Sequence, residues 1–190
     1  MSAETSMKTK RLILRAWKQS DLEPFAKMNA DHRVMEYYPS VKTLQESIEE
    51  YHRFLEQFKK NGWGFWAVSK IGGPDFIGFI GLNQVSFLSH FTPAVEIGWR
   101  LDYDHWRQGY ATEGAIASLR YGFEQLHLNE IVSFTVPENS RSRAVMVRIG
   151  MHRDPEDDFD HPKMPEGHKL RKHVLYRINR KEFFEKHSTD

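Results

Sequence analysis

Apolar positions recur along the chain in two periods, and the alternation between them predicts a mixed α/β fold. After a polar tail over residues 1–10, Arg11-Leu12-Ile13-Leu14-Arg15 places three apolar residues between charges, as a strand near a sheet edge would. Ser20-Asp21-Leu22-Glu23 has the Ser-x-x-Glu form of a capping box and predicts a helix that turns Leu22, Phe25 and Ala26 inward. Thr43-Leu44-Gln45-Glu46 repeats that signature. It opens a second helix with Ile48, Tyr51, Leu55 and Phe58 on one face, stopped by Asn61-Gly62. Two β-rich runs, 64–70 and 76–82, flank a Gly-Gly-Pro-Asp turn and predict an antiparallel hairpin. Val95–Leu101 is a third strand, 112–126 a helix, 131–136 a buried strand, 141–149 a helix ended by Gly150, and 174–178 a late strand before a terminal helix capped by Asn179. The order implies an α/β fold with an α+β mixed sheet, helices on both faces and two helices inserted after the first strand. Residues 154–173 contain three prolines and a glycine without a clear period and are expected to form a long loop.

Composition narrows the class. The length of 190 residues suits one domain, and 39% hydrophobic with 13% aromatic residues suffices for a packed core. Lys plus Arg (27) balance Asp plus Glu (26) to a net charge of +1, so no electrostatic footprint for nucleic acid is expected. The absence of cysteine excludes disulfides, a thiolate nucleophile and a Cys-bearing zinc site. Residues 1–11 have no apolar run of signal length, and no stretch approaches the ~20 apolar residues of a membrane span, so cytoplasmic residence without a membrane partner is the default expectation.

The sharpest local feature is Trp106-Arg107-Gln108-Gly109-Tyr110-Ala111-Thr112, between a strand and a long amphipathic helix. Small residues at 109 and 111 allow close backbone approach, and the unpaired N–H groups at the helix start suit a phosphate or pyrophosphate. A plain strand-to-helix turn would need the same Gly109. The loop lacks both the Gly-Lys-Ser/Thr of a nucleoside-triphosphate site and the three-glycine dinucleotide fingerprint. About thirty residues on, Val136-Pro137-Glu138-Asn139-Ser140-Arg141-Ser142 joins a buried strand to a helix, with Asn139 at or near the N-cap and Ser142 in the first turn.

These motifs, in this order and spacing, resemble the GNAT superfamily of acyl-CoA N-acyltransferases, and Thr9-Lys10-Arg11-Leu12-Ile13-Leu14-Arg15 resembles the opening of its ribosomal-protein N-terminal acetyltransferase branch. The resemblance implies a GNAT-like fold over 1–190, its mostly antiparallel sheet splayed between two strands. It implies acetyl-CoA as co-substrate, with the pantetheine arm beside Trp99, Arg100 and Leu101 and the pyrophosphate on Arg107, Gln108, Gly109, Tyr110, Ala111 and Thr112. Asn139 and Ser142 would face the pantetheine and thioester end. Transfer would run by direct attack of a primary amine, borne by a small molecule or a protein N-terminus.

Two departures mark this chain. The family's usual polar residue three places before the glycine is Trp106, and the tyrosine that protonates the departing thiolate in many members falls at Met146. Glu96 is the candidate base, with an outward carboxylate paired to a cation as the structural alternative, and Ser142 is the candidate proton donor. Five of the ten histidines lie in the last 39 positions, but their spacing matches no helical pair and no metal is expected. Loop 154–173 is expected to border the acceptor cleft, with Asp157, Asp158 and Asp160 meeting a cationic substrate. Tyr37, Tyr38, Trp63, Phe65 and Trp66 are candidates to line that cleft or to fill the core. Arg141, Arg143 and Arg148 are candidates for the cofactor's outlying phosphate. A non-catalytic acyl-CoA-binding sensor or interaction module is the alternative function, and a homodimer is the default assembly.

Overall fold

The computed structural model describes residues 6–187, which gather into two compact units: residues up to 82 with 98–117, and 83–97 with residues from 118 on. Among the described residues the chain runs β1 (Met7–Lys8), β2 (Leu12–Arg15), α1 (Leu22–Asn29), α2 (Leu44–Asn61), β3 (Phe65–Lys70), β4 (Gly78–Gln84), β5 (Val95–Leu101), α3 (Tyr110–Glu124), β6 (Glu130–Thr135), α4 (Ser140–Arg148), β7 (His152–Arg153), β8 (Phe159–Asp160), β9 (Lys172–Asn179) and α5 (Arg180–His187). Strands β4 and β5 and helix α3 have residues in both units.

In the first unit β1, β2, β3 and β4 pair antiparallel in chain order, and β4 neighbours β5. Helix α2 forms as its sequence dictates. Thr43 Oγ1 accepts the Glu46 N–H at 3.2 Å, the Glu46 carboxylate takes the Thr43 N–H at 2.7 Å, and Gly62 at φ +75° ends the helix. Its buried Tyr51 and Phe54 meet Trp17, Phe25 and Phe79, with Trp17 in edge contact with Phe25 at 5.1 Å and with Tyr51 at 5.8 Å. Trp66 is fully buried and so fills the core, and half-buried Phe65 packs on it.

The expected Ser20–Glu23 box does not cap α1. The start of α1 carries no side-chain cap: the Asp21 carboxylate turns away from it, accepting the Lys18 N–H at 2.7 Å and bonds from both Arg15 guanidinium nitrogens at 2.7 and 2.8 Å, while Arg15 also donates to Ser69 Oγ and the Asp75 carbonyl. The polar tail is corrected in part as well: Met7–Lys8 is a strand on β2, while residues 1–5 lie outside the described residues.

In the second unit β6 and β9 pair antiparallel along their length, β7 and β8 add to β9, and β5 runs parallel to β6. The stretch expected as a long loop runs mostly through turns and carries one short strand, β8, before β9 begins at Lys172. Phe159 of β8 pairs with His173 and sits in a core cluster with Val132 and Leu175. Asn179 caps α5, its Oδ1 accepting the Glu182 N–H at 2.9 Å.

Candidate active site

In the first unit, β5 leads into the glycine loop. The Asp102 N–H donates to the Ile77 carbonyl, and a Cβ on Gly78 would lie 2.2 Å from the Arg100 carbonyl oxygen, so residues 100 and 102 direct their main chain toward β4. By alternation, Trp99 and Leu101 direct theirs to the opposite edge. The Leu101 carbonyl is taken by the Trp106 indole N–H at 2.8 Å. Trp106, which sequence marks only as a lost polar contact, is thus a strut between strand and loop. The Arg100 side chain is buried, donating to Asn29 Oδ1 at 2.8 Å and Glu50 Oε2 at 3.1 Å, with Tyr38 stacked on its guanidinium at 4.3 Å. Of the three expected pantetheine residues, Trp99 and Leu101 turn their main chain to this edge, with the Leu101 carbonyl already taken by Trp106.

The loop then turns through Arg107 at φ +59° and Gly109 at φ +80° before α3 starts at Tyr110. Two left-handed residues in three coil the main chain tightly and bring successive N–H groups of a helix start together, the geometry that holds an anion. The loop is fastened by Arg11, which sequence reasoning missed. Its guanidinium donates to the Gln108 carbonyl at 2.9 Å and to Glu113 Oε2 at 2.6 Å, and it lies 4.6 Å from the Tyr110 ring. Burial alone would raise the Glu113 carboxyl, but bonds from Thr9 and Arg11 prevail and hold it below the usual range. The negative charge in the first turn of α3 is thereby matched. No local sequence signal links positions 11 and 113.

In the second unit, Glu96 pairs in register with Val132 of β6, and no further β5–β6 pair follows among the described residues. Ser133 Oγ instead donates to the Ile97 carbonyl at 2.9 Å. The half-buried Glu96 carboxylate accepts from Asn83 Nδ2 at 2.8 Å. Burial pushes it above the usual carboxylate range, against the Asn83 bond and the charge of Lys163. Its hydrogen-bond partner is an amide, and the cation acting on it, Lys163, does so through charge.

Asn139 and Ser142 also lie here. Asn139 Oδ1 caps α4 through the Ser142 N–H at 3.2 Å, and its Nδ2 donates to Thr135 Oγ1 at 3.0 Å, so capping accounts for Asn139. The half-buried Ser142 keeps its hydroxyl, and Met146 is buried at 2% exposure. Arg143 donates to the Pro137 carbonyl and the Tyr176 hydroxyl. It lines a hollow of about 480 Å³ with Ser140, Ala144, Val147, Arg148 and Tyr176, a lining that does not include Glu96.

The acids of 154–173 are matched internally. Asp157 pairs with Arg177 at 2.7 Å, Asp158 with Arg153 and Asp160 with Arg171 at 3.1 Å, so the expected carboxylate welcome for a cationic substrate is absent from these three. Among the described residues no group of three or more His, Asp or Glu is placed to hold a metal, and no helix is long and apolar enough to cross a membrane.

The family model described as "Acetyltransferase (GNAT) domain" matches residues 11–152. YnaD of Bacillus subtilis (strain 168), named an uncharacterized N-acetyltransferase, is 30% identical over 176 residues, covering 92% of this chain and 97% of its own. The crystal structure of a GNAT-family acetyltransferase from Bacillus anthracis aligns at TM-score 0.77 and 30% identity over 94% of this chain and 100% of its own. A ribosomal-protein-S5-alanine acetyltransferase from Vibrio fischeri shares the fold at TM-score 0.74 and 17% identity, over 95% of this chain and 99% of its own. The chain belongs to the GNAT acetyltransferase family and is an acetyl-CoA-dependent acetyltransferase.

Proposed function

We propose that residues 1–190 form one catalytic domain that transfers the acetyl group of acetyl-CoA directly to a primary amine, with Glu96 as general base. The observation that carries this reading is the Glu96 carboxylate, half-buried, hydrogen-bonded to a neutral amide and raised in proton affinity on the strand whose pairing with β6 ends beside it. A carboxylate moved toward neutral pH removes a proton from an ammonium more effectively than an ordinary one. The amine nitrogen forms its bond to the acetyl carbon as the C–S bond breaks, its proton passes to Glu96 directly or through water, and the leaving thiolate takes a proton.

Met146 has none to give, so Ser142 or a water is assigned that step. The residues present fit the co-substrate. The left-handed pair Arg107 and Gly109 presents main-chain N–H groups toward a pyrophosphate, and the Trp99 main chain offers an extended partner for an amide-bearing arm. Glu96→Gln should lower kcat by about 10²–10⁴-fold with little change in acetyl-CoA affinity, read by CoA thiol release over an amine panel and by calorimetry. Unchanged turnover would remove Glu96 from the mechanism. CoA binding without transfer to any amine would instead favour a non-catalytic acyl-CoA-binding module.

A further inference from the structure

Strand registers in the second unit place a set of rings on the face that Glu96 occupies. Glu96 is opposite Val132, Val132 is opposite Arg177, Phe134 is opposite Leu175, and Phe159 is opposite His173. Residues two apart on a strand share a face, so Glu96, Val132, Arg177, Phe134, Leu175, His173 and Phe159 all point the same way. Phe134 is two residues beyond Val132, about 6.6 Å along β6. Phe87 and Phe91 close on this face: Phe87 is 5.7 Å from Phe134 and 4.6 Å from His161, and Phe91 is 5.0 Å from Phe159. His161 and His173 stand 4.9 Å apart. Phe87, Phe91 and Phe134 pack on the core cluster of Val132, Phe159 and Leu175, yet these three and His161 and His173 are only half-buried, so each keeps part of its surface exposed.

The charges around these rings are equally specific. Asp157, Asp158 and Asp160 are paired with arginines, and His161, held down to about 4 by burial and by His173 and Lys163, is neutral at pH 7. Lys163, bonded to Ser86 Oγ at 3.1 Å, contributes a positive charge felt at Glu96. On this face Arg177 is matched by Glu130 and Asp157, whereas Glu96 has an amide as its hydrogen-bond partner and the charge of Lys163 acting on it. That pattern suits one ammonium group attached to an apolar frame and repels a second positive charge.

We infer that the acceptor is a monoamine bearing an aromatic or bulky apolar group, seated on Phe87, Phe134 and His173 beside Glu96, and is not a polyamine. The inference rests on the amine-transfer reading above. The test uses 2-phenylethylamine and tryptamine against spermidine, with two readouts: thiol release from acetyl-CoA, and binding of 2-phenylethylamine in the presence of CoA by ligand-observed NMR. At least a tenfold higher kcat/KM for the aromatic monoamines than for spermidine is expected. Phe87→Ala, and Phe134→Leu as a volume-sparing second variant, should raise KM for 2-phenylethylamine about tenfold and leave CoA affinity intact. Preference for spermidine, or unaltered KM in both folded variants, overturns the inference while leaving amine transfer in place. If 2-phenylethylamine binds in a Phe87-dependent way but no amine is acetylated, the pocket stands and the transfer reading falls. Neither binding nor transfer overturns both.

Discussion

Asn83→Ala tests the environment of the proposed base. Asn83 Nδ2 donates to Glu96 Oε1 at 2.8 Å, and a donor to a carboxylate stabilises the charged form. Removing it leaves burial to act with less opposition, so Glu96 holds its proton to higher pH. A hydrogen bond to a charged group contributes about 1.5–3 kcal/mol, and each 1.36 kcal/mol is tenfold, so on the acid side of the profile kcat/KM should fall about ten- to a hundredfold. At high pH, where the carboxylate is charged in both proteins, the two should converge. The assay is the pH profile of kcat/KM by thiol release, with CoA affinity as control. A uniform loss at every pH would mean that Asn83 positions a substrate or the strand and does not tune Glu96. Superimposable profiles would show that Glu96 does not supply the acid limb. Glu96→Gln provides an independent check. A carboxyl raised by folding makes the folded state less stable as pH climbs through its unfolded value toward its folded one, so the neutral isostere should keep or raise Tm at pH 7 while turnover collapses.

Asp21→Ala strands the Arg15 guanidinium, 11% exposed, without its carboxylate and should lower stability by about 3–5 kcal/mol in urea unfolding; a loss under 1 kcal/mol would mean that water replaces the pair. Gly109→Val forces a β-branched residue to φ +80° in the coiled loop, at about 1–3 kcal/mol of strain, and should weaken CoA binding about five- to a hundredfold by calorimetry. His161 should show no imidazole titration by NMR between pH 5 and 8. Because folding lowers its pKa from 6.5 to about 4, it destabilises the fold as pH falls through that interval, and His161→Phe should reduce the acid sensitivity of Tm.

Local signals in the sequence located most elements. The Thr43 box, the Gly62 stop and the Asn139 and Asn179 caps act within three or four residues, and they form as read. What escaped depends on partners distant in sequence. Ser20 does not cap α1, and Asp21 beside it is turned to Arg15, itself held by Ser69 and Asp75. The stretch after Asp154 read as loop because short strands have no period of their own, and β8 exists only through its register with β9. The site divides the same way. Gly109 and the helix start were legible, whereas the Arg11–Glu113 clamp spans 102 positions and leaves no mark on either neighbourhood.

The balance of charge gains meaning from these pairings. Folding lowers the carboxyls of Asp31, Glu46, Glu113, Asp157 and Asp158, each through hydrogen bonds from nearby donors and, apart from Glu46 at its helix cap, an arginine among them. Glu96 moves the other way, because burial outweighs both the bond from the neutral Asn83 amide and the charge of Lys163. Eight of the fourteen arginines pair with carboxylates, whereas the hydrogen-bond partner of Glu96 is an amide, at the position where a proton is proposed to be taken from an amine. On that logic an arginine brought to Glu96 is more damaging than the loss of Asn83. Asn83→Arg should hold Glu96 charged but weakly basic, lowering kcat at every pH and shifting the acid limb downward, the opposite direction to Asn83→Ala. If both substitutions move the limb the same way, the electrostatic account of Glu96 is wrong.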